Sequence, residues 1–121
     1  MKQRESDLLV QMAQCFIEQV QQLDPEFVKA YFRFYKDNSM HESCASYQAS
    51  SEVFIVSAFT LDEFFDQMDN LCVELLTEMK RDIALLLLTV DNDLKYEVKF
   101  EYDDMEKWRI SLLEGGKGIP F

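Results

Sequence analysis

Glycine and proline are almost missing from this 121-residue chain. The three glycines stand at positions 115, 116 and 118, and the only prolines are Pro25 and Pro120. Because these two residue types interrupt helices and strands, their scarcity predicts regular structure with short connections. The length fits one domain, so we expect a single domain over residues 1–121 with a loosely held tail at 116–121.

Histidine and cysteine are also scarce. With one histidine, His41, every Ser-His-Asp or Cys-His catalytic arrangement has to use that residue. His41 and Cys44 are two candidate metal ligands, but a structural zinc site takes four and no second pair lies nearby in sequence. We therefore expect no metal and no other cofactor. Three cysteines at unpatterned spacing argue against a disulfide framework and indicate a reducing compartment, the cytoplasm.

Long apolar runs and glycine-rich loops are missing as well. The N-terminus lacks the apolar core of a signal peptide. The longest apolar run, residues 83–88, is far shorter than the ~20 residues that span a bilayer. No glycine-rich loop is available to hold a phosphate group. The sequence therefore predicts a protein that neither enters a membrane nor binds a nucleotide.

Positive charge is the last shortage, and it is the most informative one. Twelve Lys and Arg residues stand against 23 Asp and Glu, which gives a net charge of −11. Such a protein repels nucleic acid and anionic membranes and attracts basic proteins. Because 48% of the residues are hydrophobic, ten of them Phe, the chain is no disordered acidic tail. We expect a compact domain with an acidic surface.

The first half of the chain shows a change of apolar period. Ser6 is expected to cap a first helix, whose apolar residues recur every three or four positions until Asp24 and Pro25 end it. Alternation then predicts a strand over residues 27–36, followed by a polar loop over 37–42. Residues 52–59, rich in Val, Ile and Phe, are expected to form another strand, and residues 43–48 are a further candidate. Thr60 and Glu63 have the spacing of a capping box, which predicts a second helix over residues 60–80.

The second half predicts a hairpin and a last helix. The apolar run at 83–90 indicates a central strand, and alternation over 94–102 indicates its partner after an Asp-Asn-Asp turn at 91–93. Asp103 and Asp104 are expected to begin a helix that carries Met105, Trp108 and Leu112 and ends at Gly115. The predicted fold is α+β: an antiparallel β-sheet with helices packed mainly on one face, in the order α-β-β(-β)-α-β-β-α.

The second predicted helix is the first candidate binding surface. Residues 60–78 contain six acidic residues and no Lys or Arg. The acidic helix face is predicted to consist of four of them on one solvent side: Asp62, Asp66, Asp69 and Glu74. Like charges at steps of three and four disfavour a helix, and a basic partner that covers them relieves the repulsion. The simpler alternative is an ordinary solvated helix face.

A second candidate follows the last predicted strand. The β5 cluster consists of Glu101, Tyr102, Asp103 and Asp104, and Glu106 extends its acidic sequence. Acidic groups around an aromatic side chain are typical of a protein-binding patch. In the alternative interpretation, Tyr102 closes the edge of the core and the carboxylates stabilise the start of a helix.

The sheet face away from the helices is a third candidate. There Lys29, Tyr31, Arg33 and Tyr35 are predicted to alternate with buried residues, and Tyr and Arg are favoured at interfaces. Cross-strand pairing of opposite charges on a wet sheet is the alternative.

Adjacent carboxylates also raise the question of catalysis. Asp62 precedes Glu63, and Asp103 precedes Asp104. A catalytic carboxylate pair needs a cleft that gives its two members different pKa values. Both pairs lie at predicted helix starts, where the helix dipole favours negative charge without any catalytic role. We therefore do not expect an enzyme.

Three segments taken in order resemble the YezG-like immunity proteins. They are residues 24–35, the helix predicted over 60–80, and residues 94–104. The family's Phe-x-Tyr-Asp-Asp motif is matched by Phe100, Tyr102, Asp103 and Asp104, and its downstream Trp and Gly-Ile-Pro by Trp108 and residues 118–120. The likeness covers roughly residues 8 to 120. It implies an α+β antitoxin that binds and neutralises a bacterial toxin domain.

Charge and resemblance together give the leading hypothesis. We expect a cytoplasmic immunity protein of a contact-dependent growth inhibition system, or a similar one, that binds a basic nuclease toxin and no nucleic acid itself. The acidic helix face is the first expected toxin-binding site, and the β5 cluster is the second. The alternatives are an acidic adaptor that binds another basic protein and, less favoured, a small carboxylate-dependent enzyme. The identity of the toxin and the oligomeric state stay open.

Overall fold

A computed structural model describes residues 2–110 and Pro120. The described residues form two helices and five strands: α1 Gln3–Leu23, β1 Lys29–Lys36, β2 His41–Ala49, β3 Glu52–Ile55, α2 Asp62–Glu78, β4 Ala84–Asp91 and β5 Tyr96–Glu101. The strands make one antiparallel sheet in the order β3-β2-β1-β4-β5. The predicted α+β class is confirmed.

β1 is the central strand of the sheet. It pairs with β2 on one side and with β4 on the other. Alternation along the strand puts Phe32 and Phe34 on one face of the sheet and Tyr31 and Arg33 on the other. All four side chains are buried, which requires that both faces of the sheet are covered.

An aromatic cluster joins both helices to one face of the sheet. Its members are Phe16 of α1, Phe32 of β1, and Phe64 and Phe65 of α2. The ring centroid of Phe32 lies 5.8 Å from that of Phe16 and 6.2 Å from that of Phe65. Phe16 also stacks on Phe64 at 6.1 Å. Such ring pairs add about 0.5–1.5 kcal/mol to the burial of their area, so this cluster fixes the helical layer on β1.

The opposite face is covered by residues 105–110. Trp108 and Ile110 pack there against Tyr31 and the buried leucines of β4. Arg33 Nε donates to the carbonyl oxygen of Lys107 at 2.9 Å, and its Nη2 donates to that of Met105 at 3.1 Å. Because Tyr31 and Arg33 are buried under this segment, they are not available as the exposed third surface expected from the sequence.

Both helices begin at residues other than those predicted. α1 begins at Gln3, because the carboxylate of Glu5 accepts the backbone N–H of Lys2 at 2.8 Å and stabilises a helix end before Ser6. α2 has Leu61 at its N-cap, with no side-chain cap. The predicted capping box is therefore wrong, and the Thr60 hydroxyl instead approaches the carbonyl oxygen of Ser57 at 3.5 Å.

Two strand boundaries also differ from the prediction. β2 begins at His41, because Asp37 closes a shorter turn than expected by accepting the backbone N–H groups of Ser39 and Met40 at 2.7 and 2.9 Å. β3 ends at Ile55 and not at Phe59, because residues 58–60 form a turn that leads into α2.

The predicted last helix is wrong for residues 103–110. Residues 105–108 form a turn, and the other residues of this segment are not helical. Trp108 has a φ of 60°, which a right-handed helix cannot accommodate. Leu112, Gly115 and the predicted tail, apart from Pro120, lie outside the described residues.

Left-handed backbone occurs without glycine in the described residues. The positions are Ser50, Lys80, Leu94 and Trp108, with φ between 56° and 65°. At the end of α2, the N–H of Lys80 bonds to Thr77 at 3.1 Å and that of Arg81 to Leu76 at 2.9 Å. This is the pattern of a helix terminus that usually takes glycine after the helix. Left-handed backbone costs roughly 1–2 kcal/mol at a residue other than glycine, and packing elsewhere in the fold has to offset this cost.

Replacing Phe32 tests the aromatic cluster. The substitution Phe32→Ala leaves a cavity between α1, α2 and β1, and we expect it to lower the free energy of unfolding by about 3–5 kcal/mol in urea titrations. Phe59→Ala is the matched control, since its ring is 99% exposed and its loss should change stability by less than about 0.5 kcal/mol. Equal effects of the two substitutions would contradict the assignment of the core.

Candidate functional site

The helical layer carries most of the negative charge. α1 and α2 together contain nine Asp or Glu residues and one cation, Arg4. Arg4 forms an ion pair with Glu74, across the contact between the two helices. Eight further carboxylates of the helices have no Lys or Arg partner within the helical layer. Glu5 and Asp69 are largely buried, and the other six form the acidic surface of the layer. This surface has the sign and the density of charge that favour a basic partner.

Asp62 and Asp66 form the open part of the acidic helix face. Both are exposed, and no Lys or Arg in the described residues pairs with either carboxylate. Asp62 accepts the backbone N–H of Glu63 at 2.9 Å, where the positive end of the helix dipole stabilises it. Glu74 is exposed too but is held by Arg4. The structure thus brings two of the four expected residues to free solvent.

Asp69 points towards the sheet and not towards solvent. Its side chain is 18% exposed, and its Oδ2 lies 3.8 Å from Nδ1 of His41 on β2. The Ser43 side chain also hydrogen-bonds to this carboxylate, while Oδ1 is buried and no described residue gives it a partner. Asp69 therefore lies between α2 and β2, and its predicted place on the solvent side is wrong.

Burial dominates the chemistry of Asp69. Desolvation raises the pKa of this carboxyl, while the Ser43 hydrogen bond and the nearby His41 lower it and Asp66 raises it further. The net direction is upward, because His41 is about half exposed and 3.8 Å is too long for a hydrogen bond. His41, Ser43 and Asp69 thus come together because α2 packs on β2.

Glu101 of the β5 cluster organises a turn. Its carboxylate accepts the backbone N–H groups of Asp103 and Asp104 at 3.2 and 3.4 Å and the ammonium group of Lys107 at 3.1 Å. The bond from Asp103, followed by the Lys107 and Asp104 contacts, lowers the pKa of Glu101. The charge of Glu101 is therefore partly neutralised within the protein itself.

Tyr102 and Asp104 have local partners as well. The Tyr102 ring stacks on Phe100 at 6.4 Å, and the Arg81 guanidinium lies 4.0 Å from its centroid. Asp104 Oδ1 accepts the backbone N–H of Glu106 at 3.1 Å. Asp103 is exposed. These contacts favour the interpretation in which Tyr102 closes the edge of the core.

The two candidate clusters do not form one site. Arg81, which contacts Tyr102, follows the C-terminal end of α2, whereas Asp62 begins the helix. A helix of 17 residues is about 25 Å long. The β5 cluster therefore lies near the opposite end of α2 from the open carboxylates.

A larger feature becomes visible once the elements are assembled. Residues 37–79, the cation-free stretch, contain nine Asp or Glu and no Lys or Arg. This stretch folds as β2, β3 and α2, where α2 packs over β2 and β3 pairs with β2. The pattern of the second predicted helix by itself reveals only the last part of this stretch. The sequence signal for the whole stretch is the absence of any Lys or Arg between Lys36 and Lys80.

A shallow groove of about 210 Å³ between α1 and α2 extends the acidic surface. Glu18 of α1 and Glu63 of α2 both line it, together with glutamines and Cys15. Burial and the nearby Glu18 raise the pKa of Cys15, so its thiol stays protonated and is a poor nucleophile. Burial likewise raises the pKa of Cys44 and Cys72.

Metal ligands and membrane-spanning helices are two further kinds of functional feature. Among the described residues, no group of three or more His, Cys, Asp or Glu side chains is placed to hold a metal ion. Neither α1 nor α2 combines the length and hydropathy needed to cross a membrane.

Comparison with known proteins assigns no family. No protein-family model matches the chain, and no curated protein matches it either. The fold and the distribution of charge therefore carry the functional conclusion.

Removing the charge of Asp69 tests its burial. Because folding raises the pKa of Asp69, its protonated carboxyl stabilises the folded state. This stabilisation is complete below the unfolded pKa of about 3.9. It is lost as the pH rises through the pKa of the folded state. Asp69→Asn mimics the protonated form. It should be more stable than the parent near neutral pH and no more stable near pH ~3 in chemical denaturation.

The exposed Asp66 provides the control for this experiment. Asp66→Asn removes the same charge one turn away, and we expect it to change stability by less than about 0.5 kcal/mol. If Asp69→Asn were the less stable protein at neutral pH, the ionised carboxylate would be stabilising the fold through His41, contrary to this account.

Proposed function

We propose that this protein is a bacterial immunity protein that binds and neutralises a cognate basic toxin domain, a nuclease being the best match to its charge. The observation that carries the proposal is the cation-free stretch, which folds into three adjacent elements, β2, β3 and α2. A stretch with so many carboxylates and no Lys or Arg of its own suits a partner of opposite charge.

The charge also suggests how inhibition works. A nuclease has to present cations to the phosphates of its substrate, and a folded polyanion competes for the same cations. Electrostatic steering raises association rates by ~10–1000-fold at low salt. A contact of ordinary size, roughly 1,600 Å² in total, is enough for tight binding. The protein thus acts by stoichiometric occupation of the toxin.

The resemblance to YezG-like immunity proteins supports the same proposal. Its Phe-x-Tyr-Asp-Asp motif spans the end of β5 and the turn that follows, where Phe100 and Tyr102 stack and Asp104 accepts a backbone N–H group. These are contacts that form the fold. In this chain the motif therefore has a role in the fold, and the exposed carboxylates of α2 are left for recognition of a particular toxin.

The expected toxin contacts are revised accordingly. Asp62 and Asp66 are the first choice, since both are exposed and free of cations, and Glu63 joins them at the groove. Glu74 contributes if its ion pair with Arg4 opens. Asp69 and Glu101 contribute to the fold and are no longer expected to contact the toxin. A cytoplasmic location fits the free thiols of all three cysteines, which a reducing compartment preserves.

Charge reversal on α2 tests the proposal. The probe is the C-terminal domain encoded by the gene immediately upstream, used both in purified form and in a growth-protection assay. The double variant Asp62→Lys/Asp66→Lys should bind this domain at least about tenfold more weakly and protect cells poorly, since both charges would repel a basic partner.

The double variant Asp93→Lys/Glu97→Lys is the matched control. It makes the same change of net charge at the hairpin of β4 and β5, outside the cation-free stretch, and both positions are exposed. We expect it to bind and protect like the parent. Failure of the parent protein to bind this domain or to protect cells contradicts the proposed function, and retrieval of an unrelated basic protein instead would point to an adaptor.

A further inference from the structure

β3 is an unpaired edge of the sheet. Within residues 2–110 it pairs with β2 and with no other strand. The N–H of Val56 donates to the carbonyl oxygen of Ala45 at 3.0 Å, so position 56 faces β2. Because neighbouring residues of an antiparallel ladder alternate in direction, the backbone groups of Val53 and Ile55 point away from the sheet.

The two edges of the sheet differ in how they are protected. At the opposite edge, β5 carries Lys99 paired with Glu97, and Lys95 precedes it. Exposed lysines are a common means of preventing further strand pairing. β3 reads Glu-Val-Phe-Ile and contains neither Lys nor Pro. Its outer edge is thus open to another strand, and only Glu52 gives it a charge.

Exposed apolar side chains lie on β3 and in the turn that follows it. Phe54 and Ile55 are exposed, and Phe54 is held in place by stacking on Tyr47 at 5.2 Å. Phe59 stands at the tip of the next turn, 99% exposed. An aromatic ring that is fully in water gains a large contact area when a partner covers it.

The charge around this edge defines the partner. Glu52 lies in β3 itself, and Asp62, Glu63 and Asp66 follow the exposed Phe59 within seven residues. All belong to the cation-free stretch, so the complementary segment has to bring its own Lys or Arg side chains. An extended segment with alternating apolar and basic residues meets both requirements, since alternate side chains of a strand face opposite sides.

We propose that β3 and Phe59 form the docking site for a basic protein segment, which adds to the sheet as a sixth strand beside Val53 and Ile55. Backbone hydrogen bonds along β3 hold the segment, Phe59 packs on it, and the carboxylates at the start of α2 bind its cations. This inference rests on the proposed function for the statement that the segment belongs to the toxin domain.

Proline at position 55 tests the added strand. Ile55→Pro removes an N–H group that points outward, so the ladder of β2 and β3 keeps its hydrogen bonds while an incoming strand loses one. The matched control is Tyr96→Pro on β5. There the N–H of Asp91 donates to Lys95, which places the backbone N–H of Tyr96 on the outer side of that edge. Denaturation curves establish that both variants fold.

Affinity for the upstream-encoded toxin domain is the first measurement. We expect Ile55→Pro and Phe59→Ala each to bind at least about tenfold more weakly than the parent, whereas Tyr96→Pro and Leu94→Ala bind as the parent does. Leu94 is the control for Phe59 because it is an exposed apolar residue in the turn before the other edge. If the parent binds and all four variants bind equally well, the docking site is overturned while the proposed function stands.

Hydrogen exchange at the amides of Val53 and Ile55 is the second measurement. Both amides should exchange quickly in the free protein and slowly in the complex. Slow exchange in the free protein overturns the inference, because the edge is then already covered by a second copy or by another part of the chain. A sedimentation measurement on the parent and on Ile55→Pro distinguishes those two causes.

A peptide probe keeps the inference testable without a toxin. An eight-residue peptide of alternating Lys and Val, titrated at low salt, should shift the NMR signals of Val53 and Ile55 more than those of β5, and Ile55→Pro should abolish the shifts. A peptide of alternating Glu and Val is the charge control. Equal shifts at both edges, or none, overturn the docking site even where the toxin domain fails to bind and the proposed function is lost.

Discussion

The structure is organised around β1, whose side chains are covered by the helices on one face of the sheet and by residues 105–110 on the other. On one face, Phe32 contacts rings from both helices. On the other, Arg33 binds two carbonyl groups of the segment after β5. Adjacent residues of one strand thus hold the helical layer and the C-terminal part of the described chain. Neither attachment is local, since Arg33 and Lys107 are 74 residues apart.

This packing determines which surface is left for a partner. α2 turns Phe64, Phe65 and Met68 towards the sheet, so the carboxylates between them face outward at the first turns of the helix. β3 lies at the outer edge because β1 and β4 occupy the centre. The acidic helix turns and the open strand edge therefore belong to the same half of the molecule, and the described cations of the strands belong to β1 and β5.

The sequence predicted the elements whose pattern is local. Alternation identified β1 and β5, and the apolar stripe identified α2, although both ends of that helix were misplaced. Features that depend on contacts between residues far apart in the sequence could not be predicted. The segment at 103–110 has a helix-like start, yet it packs across the sheet because Arg33 and the buried leucines hold it there. Asp69 has the helical spacing of a solvent-facing residue but lies against β2, and no single-helix pattern contains that neighbour. The open edge of β3 follows from strand order, which a chain of short strands does not specify.

The central claim is that a folded polyanion recognises a basic protein through its charge. The most direct measurement is the association rate constant of the unmodified protein with the upstream-encoded toxin domain, taken by stopped flow over a range of salt concentrations. We expect fast association at low salt that slows by at least about tenfold as the ionic strength approaches 0.5 M, because salt screens exposed charges. An association rate that does not change with salt would contradict it.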